Sequence, residues 1–136
     1  MTRIFVSLNA LMFVLLVPLL EVSDTHLFNA EWPPHARLHE AWQLATNMAL
    51  SLLALVLVWK SNRPVAAVVA CLAICLPFVA VWLLQGVYGG SMQRSDGAEL
   101  AAFGVNIAAL SVLVVSAGLL ASVAIEIPAF RKGNRA

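Results

Sequence analysis

Charge is what this sequence has least of. Only 11% of its 136 residues are Asp, Glu, Lys or Arg, less than half the share carried by an ordinary soluble domain. A soluble globular fold is excluded. The few charges that exist nearly cancel, 8 basic against 7 acidic for a formal net charge of +1, and that leaves no basic field able to hold nucleic acid. Nucleic acid is therefore excluded as a partner. Cysteine is equally sparse. Cys71 and Cys75 lie in an apolar run, four residues apart, where on a helix their side chains project in parallel and a disulfide between them would be strained. Both are read as small core hydrophobes, and they say nothing about redox compartment. No complete catalytic signature occurs, and the zincin pattern, two histidines with a glutamate between, is absent.

What the chain has in abundance is apolar length. Hydrophobic residues make up 62% of it, with a mean hydropathy of +0.91, and there is room for one domain. A bilayer core of about 30 Å needs about 20 helical residues. Four runs meet that length: about Ile4 to Leu20, Leu38 to Trp59, Pro64 to Gln85 and Leu100 to Ile125. Lipid leaves no partner for a bare peptide group, so each run must be a helix. The expected fold is an all-α, integral membrane four-helix bundle of up-down-up-down order, residues 1–136 forming one domain. Arg3 before an apolar stretch imitates a secretory signal, but Glu21 follows Leu20 with no small-residue cleavage pattern, so this run is read as a retained anchor.

Basic residues choose the orientation. Arg3, Lys60, Arg63, Arg131, Lys132 and Arg135 fall on one side, Arg37 and Arg94 on the other, which makes both termini cytoplasmic. Six of the acids, Glu21, Asp24, Glu31, Glu40, Asp96 and Glu99, fall on the outer side and Glu126 on the inner. A plasma membrane of the bacterial inner-membrane kind is the expected location. Ser61-Asn62-Arg63-Pro64 reads as a tight turn with a capping residue before a proline at a first helical position. Pro77 should bend the third span toward a neighbour. Ala101, Gly104, Ala108 and Ser111 form a small-residue stripe on the fourth, suited to close packing.

All three histidines, His26, His35 and His39, fall between the first and second spans. Trp32-Pro33-Pro34 reads as an extended entry into a helix, so His35 and His39 stack on one face four residues apart. His35 or His39 would act as general acid or base, with Glu40 orienting the imidazole. His26, His35, His39 and Asp24 also form a ligand set for a divalent first-row metal in kind. Deeper in the same helix, Gln43, Thr46 and Asn47 lie about 7 to 14 Å below the outer surface at about 1.5 Å per residue. Gln85 ends the third span, and Asn106 enters the fourth by about 9 Å on the same rise. Unpaired amides are costly in lipid, so these side chains are expected to converge on an outward-opening polar pocket, with Trp42 beside it and imidazole at its mouth.

The stretch His26-Leu27-Phe28-Asn29-Ala30-Glu31-Trp32-Pro33-Pro34-His35-Ala36-Arg37-Leu38-His39, with four spans around it, resembles a family of small four-helix membrane proteins bearing an H-L-F-N-x-x-W-P-P-H-A-R-x-H signature. The resemblance covers about a tenth of the chain and implies fold and topology, but no activity. Three functional expectations result. The first is a binder, or acid–base converter, of a lipophilic small molecule. The second is an accessory subunit of a larger membrane complex or a homo-oligomer. The third is a histidine-ligated metal protein. The lipid bilayer is a partner under all three.

Overall fold

The computed structural model describes residues 1–93, 97 and 99–133, the last eight by backbone alone. Four helices are long and apolar enough to cross a membrane: α1 (Thr2–Glu21), α2 (Pro34–Trp59), α3 (Pro64–Leu83) and α4, whose apolar part is Ile107–Ile125 within a helix that continues to Gly133. Multi-pass membrane insertion is the environment this composition demands.

Proline places two of the starts. Pro33 is the N-cap of α2 in an extended conformation (φ −55°, ψ 145°) and Pro34 opens the helix, four residues before the expected Leu38. Pro64 opens α3 after Arg63, which offers no side-chain cap. The turn before it closes differently from a capped start. Asn62 is left-handed (φ 49°), and Ser61 N–H donates to Val56 O at 3.0 Å and Arg63 N–H to Leu57 O at 2.8 Å, so the turn folds back onto the open carbonyls of the last turns of α2.

Three expected features are corrected. α3 ends at Leu83, and Gln85–Tyr88 is a separate helical turn closed by left-handed Gly89 (φ 72°). The fourth span starts at Ile107 and not Leu100, because Ala101–Ala102 (β1) and Val105–Asn106 (β2) pair as a small antiparallel hairpin. Its turn residues, Phe103 (φ 54°) and Gly104 (φ 76°), are both left-handed, the requirement of a two-residue hairpin loop. The Ala101/Gly104/Ala108/Ser111 stripe is consequently divided between hairpin and helix. The close approach falls elsewhere, at buried Gly118, where a Cβ would run into the Phe5 ring. Pro77 stays inside a continuous α3 and faces outward, in a shallow apolar groove with Val69, Leu72, Ala73 and Leu76.

α1 is not uniform. Leu11–Leu16 is π-helical and runs directly into Pro18, whose ring cannot donate and crowds the preceding turn. The helices close a ring, α1 on α2, α2 on α3, α3 on α4 and α4 on α1, with α1 also touching α3. Val6, Phe13, Ala54, Val58, Ala67, Val68, Cys71, Cys75, Val112 and Leu119 fill the middle. At one end Trp59 fastens α2 to the start of α1. Its Nε1–H donates to Ser7 Oγ at 3.3 Å, and the Arg3 guanidinium lies 4.9 Å from the ring centre.

The core holds one amide. Asn9 is fully buried, donates from Nδ2 to Cys75 Sγ at 3.2 Å and accepts from Ser51 Oγ at 3.2 Å. Three helices are thereby tied at one point in the middle of the bundle. Ser116 and Ser122 are buried too, but satisfy themselves on their own helix through Val112 O and Leu119 O.

Candidate functional site

The segment between α1 and α2 is folded onto itself as a cap. Val22 (φ −80°, ψ 69°) ends α1, and Leu27 N–H returns to Glu21 O at 3.0 Å while Phe28 N–H bonds Ser23 O at 2.9 Å. Asn29, nearly fully buried, holds the second half of the loop. Its Oδ1 accepts from Glu31 N–H at 2.9 Å and its Nδ2 donates to Thr25 O at 3.4 Å. Short polar side chains bonding nearby backbone are the usual means of fixing such a turn.

His26 occupies the centre of this cap. Nδ1 lies 3.0 Å from Thr25 Oγ1 and 3.5 Å from Ser23 Oγ, and Nε2 lies 3.4 Å from Glu21 Oε2. Ser23 Oγ in turn donates to Leu20 O at 2.9 Å, and the Trp32 ring meets the imidazole edge-on with centroids 6.2 Å apart. Glu40, half-buried on the first turns of α2, lies within electrostatic range of both Glu21 and His26. A hydroxyl, an imidazole and a carboxylate in series form an arrangement that can take up and hand on a proton.

This grouping differs from the expected one. His35 and His39 do stack, with Nε2 atoms 2.9 Å apart and rings nearly perpendicular at 4.4 Å, so one nitrogen donates and the other accepts. The Trp42 ring is 6.0 Å from His39. Both histidines are exposed, while Glu40 is half-buried and within electrostatic range of Glu21 and His26. The proposed trio of His35, His39 and Glu40 is thus split between two faces of α2. The metal set fails for a related reason. His26 pairs with Glu21, His35 with His39, Asp24 is exposed, and among the described residues no group of three or more His, Cys, Asp or Glu could hold an ion.

The amides divide as well. Gln43 and Thr46 are exposed and Asn47 is half-buried, on a helix whose core face is Leu44, Ser51, Ala54 and Val58. They are not among the residues that bound the recess of Gln85 and Asn106. Asn106 is not deep in a span. It is the cap of α4, accepting from Ala108 N–H at 2.9 Å, and its Nδ2 donates to Glu99 Oε1 at 3.3 Å. Gln85 and Asn106 nevertheless share one recess of about 540 Å³, bounded also by Trp82, Gly90, Met92, Gln93 and Glu99. Two of the expected ligand-binding residues, from separate parts of the chain, therefore meet.

Sequence reasoning passed over Glu21 as the partner of His26, Glu99 as the carboxylate of the recess, and Asn9 as the buried amide. All three carried a signal: acids at the ends of spans are the groups within reach of a loop histidine or a cap amide, and a lone amide in an apolar run has to find a partner. Comparison with family models, curated proteins and solved structures returns no match.

Proposed function

We propose that this protein is a multi-pass membrane protein that binds an amphiphilic small molecule at the extracytoplasmic end of its bundle. The helices alternate in direction and both termini are cytoplasmic in this reading, in keeping with the excess of Arg and Lys at the Arg3, Lys60 and Arg63 end. Of the other residues in that charge comparison, Arg94, Asp96 and Arg135 lie outside the described residues, as do the side chains of Glu126, Arg131 and Lys132. A plasma membrane of the bacterial inner-membrane type remains the proposed location.

The observation carrying the reading is the common recess of Gln85, Asn106, Glu99 and Trp82. Its polar wall consists of two amides and a carboxylate, which suits a ligand whose head donates hydrogen bonds. Trp82 supplies an apolar flank for the tail. His26, held between Thr25 and Glu21 in the loop between α1 and α2, is the group able to exchange a proton in a conversion step. A metal-handling role has no support in the described residues.

A diazirine-bearing long-chain alkyl amine tests the binding claim in membranes. Labelling is expected on the peptide containing Trp82 to Gln93, competed by unlabelled amine, and about tenfold weaker in Gln85→Leu with Glu99→Gln, the effect of losing one or two hydrogen bonds. Labelling unaffected by either competitor or substitution would end the reading.

A further inference from the structure

We propose that the end of the bundle carrying Arg3, Trp59, Lys60 and Arg63 binds the phosphate headgroup of an anionic membrane lipid. Two elements bring these residues together. Trp59 closes α2, its Nε1–H donates to Ser7 Oγ of α1 at 3.3 Å, and the Arg3 guanidinium lies over its ring, 4.9 Å from the centre. Lys60 and Arg63 follow in the turn to α3, Arg63 directly before Pro64. All three basic side chains are exposed, and among the described residues none is in an ion pair or a side-chain hydrogen bond.

This positive charge is not offset locally. The acids whose side chains are described, Glu21, Asp24, Glu31, Glu40 and Glu99, lie at the end of α1, in the loop to α2, on the first turns of α2 and beside the hairpin. Glu40, on the same helix as Trp59, is about 28 Å from it at about 1.5 Å per residue, well past the Debye length of about 8 Å at physiological ionic strength. Three charges of one sign therefore act together on whatever approaches. Arg3 adds geometry to charge. A guanidinium resting over an aromatic ring is restrained, and its N–H donors, unused by the protein, match phosphate oxygens two at a time.

The apolar surface beside these charges identifies the carrier of that phosphate as a lipid. Leu52, Val56 and Trp59 fall within an arc of about 60° on α2 at about 100° per residue, and all three are exposed. That arc is centred about 120° from the core face, which is marked by Leu44, Ser51, Ala54 and Val58. On α1, Leu11 is exposed one turn inward of Ser7. A soluble anion leaves such a strip uncovered, whereas an acyl chain descending from a headgroup at Arg3 and Lys60 lies along it. Tryptophan with its ring against apolar groups and its N–H on a polar one marks the depth at which headgroups begin. Basic residues beside a span attract anionic lipids, each Lys or Arg adding about fivefold in affinity.

Tryptophan quenching by brominated lipids tests the proposal in liposomes. The full chain carrying Trp32→Phe, Trp42→Phe and Trp82→Phe keeps Trp59 as its one tryptophan. Brominated phosphatidylglycerol in a phosphatidylcholine bilayer is expected to quench it at about tenfold lower mole fraction than brominated phosphatidylcholine. Lys60→Gln with Arg63→Gln should bring the two lipids to within about twofold of each other, with helix content by circular dichroism unchanged. Lys60→Arg with Arg63→Lys, which keeps the charge, and Arg37→Gln, at the other end of α2, should preserve the preference. In a second measurement, native mass spectrometry of the chain with all its tryptophans in mild detergent should find one phosphatidylglycerol retained, and lost in Lys60→Gln with Arg63→Gln. Equal quenching by both lipids, a preference untouched by that double substitution or abolished as fully by Arg37→Gln, no retained lipid, or displacement by soluble glycerol phosphate would each overturn the proposal, the last by making this a surface for a soluble anion.

Discussion

Asn9 and Ser51 meet in the middle of the bundle with Oγ and Oδ1 3.2 Å apart, across 42 positions of chain. The same asparagine reaches Cys75 from its other end, so a single side chain joins α1, α2 and α3. In a protein whose core and surroundings are equally apolar, burial alone does little to choose between helix arrangements, and a bond of this kind supplies what lipid cannot.

Replacing Asn9 by alanine should therefore loosen the bundle. Interhelical hydrogen bonds in membranes average about 0.6 kcal/mol with a ceiling near 1.7, so Asn9→Ala should cost about 1 to 3 kcal/mol once both bonds and the small void are counted. Titration with sodium dodecyl sulphate would read this as an earlier unfolding midpoint. Faster alkylation of Cys75 should accompany it. A midpoint and a labelling rate equal to wild type would show that the contact does not contribute.

Gly118 and Phe5 make a second prediction. Any Cβ at position 118 meets the aromatic ring, and overpacking of this kind costs about 1 to 3 kcal/mol. Gly118→Ala should lower stability in the same titration, and Phe5→Leu introduced with it should restore part of the loss. A pair of substitutions whose effects simply add would show that the two sites are not in contact.

The cap around His26 predicts a local effect. His26→Ala removes the contacts to Thr25, Ser23 and Glu21 at once while leaving the spans untouched. Limited proteolysis within residues 22–33 should accelerate severalfold, as expected when a loop loses one to two hydrogen bonds of protection. The detergent unfolding midpoint should stay within error of wild type. Unchanged cleavage would mean the backbone bonds of the loop suffice on their own.

The spans were legible in the sequence because length and apolarity are the same quantity that lipid selects. Pro33-Pro34 and Arg63-Pro64 also marked helix starts through the conformations proline allows. The start of the fourth span was not legible from composition. Leu100, Ala101 and Ala102 are as apolar as a helix would be, and the left-handed pair Phe103 and Gly104 that turns them into a hairpin leaves only a lone glycine as its trace. The polar stripe of α2 was visible through its four-residue spacing, but not the direction it faces. In a soluble helix the apolar side marks the core, whereas here both sides are apolar, and periodicity loses its compass. Asn9 was readable in principle, since a lone amide in an apolar run has to find a partner.

The π-helical turn at Leu11–Leu16 sets the azimuth of everything beyond it. A chain wound i→i+5 holds an additional residue per turn relative to the α form, so Glu21 emerges rotated from the line that Val6, Asn9 and Phe13 would extend. Removing a single residue from this stretch, with hydropathy unchanged, would swing the carboxylate away from His26 and leave the helix pointing its acid at the wrong neighbour. The first span thus works as a rotational spacer between the asparagine tie at mid-depth and the histidine cap at its end.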